Sequence, residues 1–137
     1  MRLENKVALI TGASRGMGEA HAREFVKQGA KVILADIRED MGKALADELG
    51  ENALFVKLDI TSADDWKNAV EVGESKFGNV NVLVNNAAGN FISPTERLSH
   101  RAFDTVVDIV LQVEYFHIPF LLLVHPAEVR IATGRSR

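Results

Sequence analysis

The sequence predicts an α/β fold in which a parallel sheet of about four strands is flanked by helices. Four short aliphatic runs alternate with stretches of helical periodicity. The runs are apolar throughout, which is typical of strands that helices cover on both faces. The connections between them are short, and the order βαβαβαβα with short connections favours right-handed crossovers and parallel pairing.

The first two β–α units occupy residues 7–50. Val7–Ile10 is the first predicted strand, and Lys31–Ala35 is the second. The helix between them is indicated by small and apolar residues at helical spacing, namely Gly18, Ala22, Phe25, Val26 and Gly29. The second helix carries a similar stripe and ends at a glycine, a common helix terminator; its residues are Met41, Ala44, Leu45, Leu49 and the terminal Gly50.

The third and fourth units follow the same plan. Ala53–Val56 and Val80–Val84 are the predicted strands. Ser62, with Asp65 three residues later, is a variant of the capping box that begins a helix. The inner face of that helix is Trp66, Ala69, Val70, Gly73 and Phe77, with Gly78 at its end. Ser99 is the expected cap of a fourth helix that has Phe103, Val106, Val107 and Val110 on one side.

Composition indicates a globular protein and excludes several classes of site. Of 137 residues, 47% are hydrophobic and 26% charged, with a net charge of −3 and no cysteine. The basic residues are scattered, which argues against nucleic-acid binding. Without thiols the chain has neither disulfides nor thiolate metal sites. No leader or membrane span is predicted, so we expect a cytoplasmic protein.

The stretch TGASRGMG, residues 11–18, lies between the first strand and the first helix. Gly12 permits a tight turn, Gly16 lets the backbone approach a phosphate, and Gly18 allows helix and strand to lie close together. The free N–H groups at a helix N-terminus suit a pyrophosphate. A glycine turn that serves only chain geometry is the alternative. Ser14, Arg15 and Met17 complete the predicted phosphate-binding loop.

Asp36 ends the second predicted strand, 18 residues after Gly18. A carboxylate there can accept hydrogen bonds from the ribose hydroxyls of a dinucleotide. It also repels a 2′-phosphate, so it favours NAD over NADP. Arg15 and Arg38 favour the opposite choice, unless they are ordinary solvated charges. We expect NAD, with NADP as the alternative.

Four segments together resemble the short-chain dehydrogenase/reductase family. They are TGASRGMG, Asp36, LDI at residues 58–60 and NNAAG at residues 85–89, and the resemblance covers about residues 4–111. It implies a partial Rossmann fold and an NAD(P)-dependent oxidoreductase. It also implies that Asp59 and Ile60 contact adenine. The segment Asn86, Ala87, Ala88 and Gly89 would brace the sheet and line the cofactor cleft.

A narrower likeness concerns the stretch NNAAGNFISPTERLS, residues 85–99. Its extra alanine and the following Asn-Phe resemble 2,4-dienoyl-CoA reductases, which reduce unsaturated fatty acyl-CoA thioesters with NADPH. FDTVVDIVL, residues 103–111, is similar to the helix that follows in that branch. Asp36 is discordant with this branch, since it favours NAD.

The catalytic half that the family implies is not found in the sequence. A catalytic tyrosine needs a lysine four residues later, on the same helix face, to lower its pKa. The only tyrosine, Tyr115, has Pro119 at that position. We therefore assign no catalytic residue. His117 and His125 fit no recurring metal-ligand spacing, so no metal is expected either.

The sequence changes character after residue 111. We divide the chain into a dinucleotide-binding half-domain, residues 1–111, and a divergent tail, residues 112–137, in which we find no helical or strand period. A frameshift or truncation is one explanation, and a diverged stand-alone module is the other.

Two functions remain open for the chain. One is an oxidoreductase that carries the cofactor-binding half, and the other is a non-catalytic dinucleotide-binding module or truncated fragment. A sheet of four strands would leave the fourth strand as an open edge and invite self-association, unless residues 118–124 cover that edge.

Overall fold

The structure, a computed structural model, describes residues 1–88, 97 and 99–108 and the backbone of residues 130–133. The elements in order are β1 (Val7–Thr11), α1 (Gly16–Lys27), β2 (Lys31–Asp36), α2 (Glu39–Leu49), a 3₁₀ turn (Gly50–Asn52), β3 (Ala53–Lys57), α3 (Ala63–Phe77), β4 (Val82–Asn85), α4 (His100–Val107) and β5 (Arg130–Thr133). Within the described residues no helix is long and apolar enough to cross a membrane.

The strands form one parallel sheet in the order β3-β2-β1-β4-β5. The predicted α/β class, the parallel pairing and the partial Rossmann arrangement are confirmed. Because β1 is central, the loops after β1 and β4 meet at the carboxyl edge of the sheet. That is the position at which open α/β sheets place their ligand sites.

Both faces of the sheet are buried, as the apolar strands predict. Alternate residues along each strand point to opposite faces. Leu9 and Ile33 join the core on the α3 side, where Trp66 and Val70 contribute. Ile10 and Leu34 join the core on the α1 and α2 side, where Ala22 and Leu45 contribute.

The predicted strand Val80–Val84 begins two residues too early. Val80 is fully buried, as its apolar character suggests, yet its N–H donates to Glu74 Oε1 at 3.3 Å. Asn81 then exchanges hydrogen bonds with Val7, its side-chain Oδ1 accepting from Val7 N at 3.0 Å. These bonds to side chains delay the start of the ladder until Val82.

Both predicted helix caps are present. Ser62 Oγ accepts from Asp65 N at 3.2 Å and Ser99 Oγ accepts from Ala102 N at 3.2 Å. The reciprocal half of a capping box is absent at Ser62, because Asp65 Oδ2 accepts from Asp59 N instead, at 2.8 Å.

The tail contributes a strand that the sequence analysis did not predict. Arg130–Thr133 pairs in parallel with Val82–Asn85. Of the two alternatives for this edge, the open one is excluded, because β5 pairs with β4. Residues 118–124, the predicted substitute strand, lie outside the described residues, as do Val110, Tyr115, His117, Pro119 and His125.

Candidate functional site

A cleft of about 730 Å³ lies at the carboxyl edge of the sheet. The loops after β1, β2 and β3 contribute to its wall, together with the residues that follow β4 and the end of α4. Its lining residues from the strand ends and loops are Gly12, Arg15, Gly16, Asp36, Ile37, Arg38, Leu58, Asp59, Ile60, Thr61, Asn86, Ala87 and Ala88, and α4 and the residue after it add Thr105 and Asp108.

The glycine loop lies against the chain that follows β4. Gly12 has a φ of +62°, and a Cβ on it would stand 2.9 Å from Ala87 Cα. A Cβ on Gly18 would overlap the carbonyl oxygen of Gly12. Gly16 has a φ of +59° but faces open space within the cleft. Thus two glycines permit close contacts of the backbone, while Gly16 leaves room for a ligand.

The N-terminus of α1 opens toward this loop. Arg15 is its N-cap residue, and the Arg15 side chain makes no capping hydrogen bond. The first N–H groups of a helix have no partner within the helix and carry the positive end of its dipole. Residues 15–18 therefore offer N–H donors that suit an anionic group.

Asp36 links β2 to the glycine loop. Its Oδ2 accepts from Ser14 N at 3.0 Å and its Oδ1 accepts from Arg38 N at 3.0 Å. Burial alone raises the pKa of this carboxyl, but the Ser14 hydroxyl and the N–H groups of Arg38, Ser14 and Ile37 outweigh it and lower the pKa below its ordinary value. The group is a carboxylate at neutral pH, with further lone pairs for a ligand.

The Ser14 hydroxyl is buried beneath the loop. It lies close enough to the Asp36 carboxylate to favour the charged form. Even so, the hydroxyl does not meet hydrogen-bond geometry with that carboxylate, and Ser14 Oγ has no hydrogen-bond partner among the described residues. The backbone N–H of Ser14 therefore provides the firm contact.

Two exposed cations line the same cleft as this carboxylate. Arg15 and Arg38 both line the cleft, and neither side chain forms an ion pair with the rest of the described chain. Each guanidinium is therefore free to meet an anionic ligand. The Arg38 backbone N–H, by contrast, is already committed to Asp36.

The turn after β3 forms the apolar end of the cleft. Leu58 and Ile60 are buried there, and Ile37 from the β2 side is 62% exposed. Asp59 Oδ1 accepts from Thr61 N at 2.9 Å and from Thr61 Oγ1 at 2.6 Å. The three aliphatic side chains form a wall against which a flat apolar ring can lie.

Thr11 and Asn86 join the ends of β1 and β4. Thr11 Oγ1 accepts from Asn86 N and Ala87 N, both at 3.0 Å, and donates to Val84 O at 3.4 Å. Asn86 Nδ2 donates to Thr11 O at 3.0 Å and to Gly12 O at 3.3 Å. These bonds hold the glycine turn beside the chain after β4, which agrees with the bracing role that the resemblance implies for Asn86.

The structure brings most of the candidate residues together at this cleft. Of the candidates, those that line it are Gly12, Arg15, Gly16, Asp36, Asp59, Ile60, Asn86, Ala87 and Ala88. Ser14 and Gly18 are buried below the loop, and Met17 is exposed at the start of α1. Gly89 lies outside the described residues.

The family model of the short chain dehydrogenases matches residues 6–117. This match covers most of the chain, including every loop of the cleft. The chain belongs to the short-chain dehydrogenase family.

Relatives in this family are named dehydrogenases. The 3-alpha-(or 20-beta)-hydroxysteroid dehydrogenase of Mycobacterium tuberculosis is 42% identical over 110 residues, which is 80% of this chain and 42% of the relative. Galactitol 2-dehydrogenase of Agrobacterium fabrum is 38% identical over 136 residues, 99% of this chain and 51% of the relative. The chain spans about half the length of these relatives.

A solved member of the family has the same fold. The 3-ketoacyl-(acyl-carrier-protein) reductase from Brucella melitensis, complexed with NADH, superposes with a TM-score of 0.87 at 38% identity. The superposition covers 96% of this chain and 57% of that one.

Sequence reasoning missed several residues of the cleft. Ile37, Leu58 and Thr61 line the cleft, and Thr11 organises it from below. The available signal for Thr11 was a polar residue at the end of an otherwise apolar strand. Ile37 gave a different signal, as an aliphatic residue directly after the strand-ending carboxylate.

Proposed function

We propose that this chain binds a nicotinamide dinucleotide, NAD(H) in preference to NADP(H), as the cofactor-binding half of a short-chain dehydrogenase-type oxidoreductase. The observation that carries the proposal is the position of the Asp36 carboxylate. It is held by the glycine loop through Ser14 N and lines the same cleft as the N-terminus of α1. An anion site and a hydroxyl acceptor thus lie side by side.

We propose that each loop of the cleft binds a different part of the ligand. From β3 to β4 the cleft presents an aliphatic wall, a carboxylate, a helix N-terminus and a polar segment after β4. This order fits adenine, ribose, pyrophosphate and nicotinamide ribose in succession. The residues proposed to hold the cofactor are Gly12, Ser14, Arg15, Gly16, Met17, Gly18, Asp36, Asp59, Ile60, Asn86, Ala87, Ala88 and Gly89.

Selection of NAD(H) follows from the charge of Asp36. The carboxylate is only 8% exposed and its pKa is lowered, so it stays charged when a ligand arrives. A 2′-phosphate beside it would suffer like-charge repulsion. Arg15 and Arg38 are free to offset that repulsion in part, which keeps NADP(H) as the alternative.

A bound nicotinamide would supply hydride transfer, and this chain's described residues would bind and orient it. No residue is proposed as the proton donor, since Tyr115 has Pro119 where a lysine is needed. The alternative function is accordingly a dinucleotide-binding module without catalysis of its own.

The domain division between residues 111 and 112 also remains a proposal.

The substrate class is a separate proposal. The NNAAGNF segment supports an unsaturated fatty acyl-CoA, whereas the relatives are named for a hydroxysteroid, galactitol or a 3-ketoacyl-(acyl-carrier-protein). Turnover with a dienoyl-CoA and either cofactor would support the acyl-CoA assignment. Binding of the cofactor without any turnover would support the module.

The experiment that tests the cofactor proposal is a titration of the 137-residue chain with NADH and, separately, with NADPH, followed by nicotinamide fluorescence. We expect saturable binding with a lower Kd for NADH. A lower Kd for NADPH would refute the role of Asp36 in selection. Cooperative thermal unfolding without binding of either cofactor would refute the proposed function, and absence of cooperative unfolding would favour an incomplete fragment.

We propose that the chain self-associates through an edge of its sheet. The edge strand beyond β1 is β5 and not β4. β5 has only four residues, and a short edge strand offers a small surface for pairing. Light scattering over a range of protein concentrations tests this point. A constant monomer mass would contradict it.

A cytoplasmic location likewise remains a prediction.

A further inference from the structure

Trp66 lies directly below the turn that forms the apolar end of the cleft. Its side chain is 1% exposed and is the largest fully buried side chain in the described part of the molecule. The indole Nε1–H donates to the backbone carbonyl of Ile60 at 2.9 Å. A buried residue of α3 thus reaches a residue that lines the cleft.

The same turn is also held by Asp65, the neighbour of Trp66. Asp65 Oδ2 accepts from Asp59 N at 2.8 Å, and Asp65 N donates to Ser62 Oγ. The first turn of α3 therefore holds two neighbouring residues of the cleft wall, Asp59 through its backbone N–H and Ile60 through its backbone carbonyl. Side chains on a rigid helix thereby set the position of a loop.

We infer that Trp66 is a positioning residue for the base-binding wall, which it holds in place through the Ile60 carbonyl. The inference rests on the proposed function and adds a residue that does not itself line the cleft. A purine ring is flat and makes extensive apolar contact only where the wall is preformed, since ordering a loop on binding reduces affinity. Without the indole N–H, the buried Ile60 carbonyl loses its donor, and the turn has to shift to find another.

The test compares the two halves of the cofactor as separate probes. Trp66→Phe keeps an aromatic ring in the core and removes the N–H. We expect the Kd of AMP, measured by displacement of NADH, to rise about 2- to 10-fold, which corresponds to the usual net contribution of one hydrogen bond. The Kd of reduced nicotinamide mononucleotide, which has no purine, should remain unchanged. An equal change for both probes, or no change for AMP, would overturn the inference.

One control variant separates positioning from general destabilisation. Val70→Ala removes volume from the same core one turn further along α3, at a side chain that cannot form a hydrogen bond with the cleft turn. We expect it to lower the melting temperature and to leave both Kd values as they are. A rise in the AMP Kd for this variant, equal to that of Trp66→Phe, would count against the inference.

A second pair of variants decides the matter if Trp66→Phe does not fold. Asp65→Ala removes the acceptor of Asp59 N, whereas Asp64→Ala removes the same charge from the same helix turn at an exposed position. Each change therefore removes one negative charge that interacts favourably with the N-terminal end of the helix dipole. Only Asp65→Ala should raise the AMP Kd. Equal effects of both variants would overturn the role of the α3 turn.

Trp66 also offers a direct signal, because it is the only tryptophan in the chain. Its single indole N–H resonance should move when AMP is added and stay in place with reduced nicotinamide mononucleotide. An unmoved resonance under saturating AMP would refute the link between Trp66 and the base wall. If the unaltered chain binds no NADH, the proposed function fails first and the inference fails with it. If NADH binds and the variants behave alike, only the inference fails.

Discussion

Replacing Thr11 by valine is expected to lower the free energy of unfolding by about 2 kcal/mol. The change keeps the shape of the side chain and removes an oxygen that is fully buried. That oxygen accepts from the N–H groups of Asn86 and Ala87. A buried donor left without an acceptor costs about 1–3 kcal/mol, and both donors here are half-buried, so about 1 kcal/mol for each is the appropriate figure.

The measurement is urea-induced unfolding of the unaltered chain, Thr11→Val and Thr11→Ser. Serine keeps the hydroxyl and loses only a methyl group, so we expect it to recover most of the lost stability. Thr11→Val should also weaken NADH binding, because Gly12 follows Thr11 and the glycine turn depends on the same contacts. Equal stability of the valine and serine variants would refute the view that this hydroxyl joins β1 to the chain after β4.

Three further predictions concern the loops of the cleft. Asp36→Asn should be less stable than the unaltered chain at neutral pH, and this difference in the free energy of unfolding should shrink as the pH falls below about 4. The reason is that a carboxyl whose pKa is lowered in the folded state contributes stability above its unfolded-state pKa, and this contribution is lost as the pH falls through its folded-state pKa. Urea unfolding at several pH values measures the difference, and a difference that does not change with pH would contradict the prediction. Gly18→Ala should prevent stable folding, since its Cβ would overlap the Gly12 carbonyl oxygen. Gly16→Ala should lower the free energy of unfolding by only about 1–2 kcal/mol, because its Cβ meets no atom and only its positive φ is unfavourable. Thermal unfolding compares the two variants, and similar melting temperatures would be inconsistent with the loop geometry. Arg38→Ala should raise the Kd of NADPH severalfold and leave the Kd of NADH nearly unchanged, because only NADPH carries a 2′-phosphate that the guanidinium can bind. Equal changes in the two Kd values would exclude Arg38 as a ligand of the 2′-phosphate.

Local pattern predicts the first four β–α units well because each depends on its own residues. The predicted strands Val7–Ile10 and Ala53–Val56 are each one residue longer in the structure, at Val7–Thr11 and Ala53–Lys57. The agreement is close because an aliphatic run that ends at a polar residue defines a buried strand almost completely. The strand Arg130–Thr133 escaped prediction for the opposite reason. Its four residues have no period of their own, and the ladder comes from β4, some 45 residues earlier in the chain.

The candidate site shows the same division between local and distant information. The glycine spacing and the carboxylate after β2 could be predicted because a ligand motif is written in consecutive residues. The bond from Ser14 N to Asp36 joins residues 22 apart, and the bond from Trp66 to Ile60 depends on the direction of a buried indole. Neither direction follows from periodicity, since the period gives the face of a helix but not the partner of each polar atom.

The two contacts of Asp36 have a consequence for cofactor selectivity. Its charge acts on the ligand, but its oxygens also accept hydrogen bonds from Ser14 N and Arg38 N. These two bonds fix the shape of the glycine loop and of the turn after β2. Any substitution that removes the charge to admit a 2′-phosphate also removes or weakens these acceptors. The gain in electrostatic energy for NADPH would then be opposed by a less ordered phosphate loop. Selectivity in this cleft is therefore coupled to loop stability, and a change of preference requires a replacement acceptor for Ser14 N as well as a new charge.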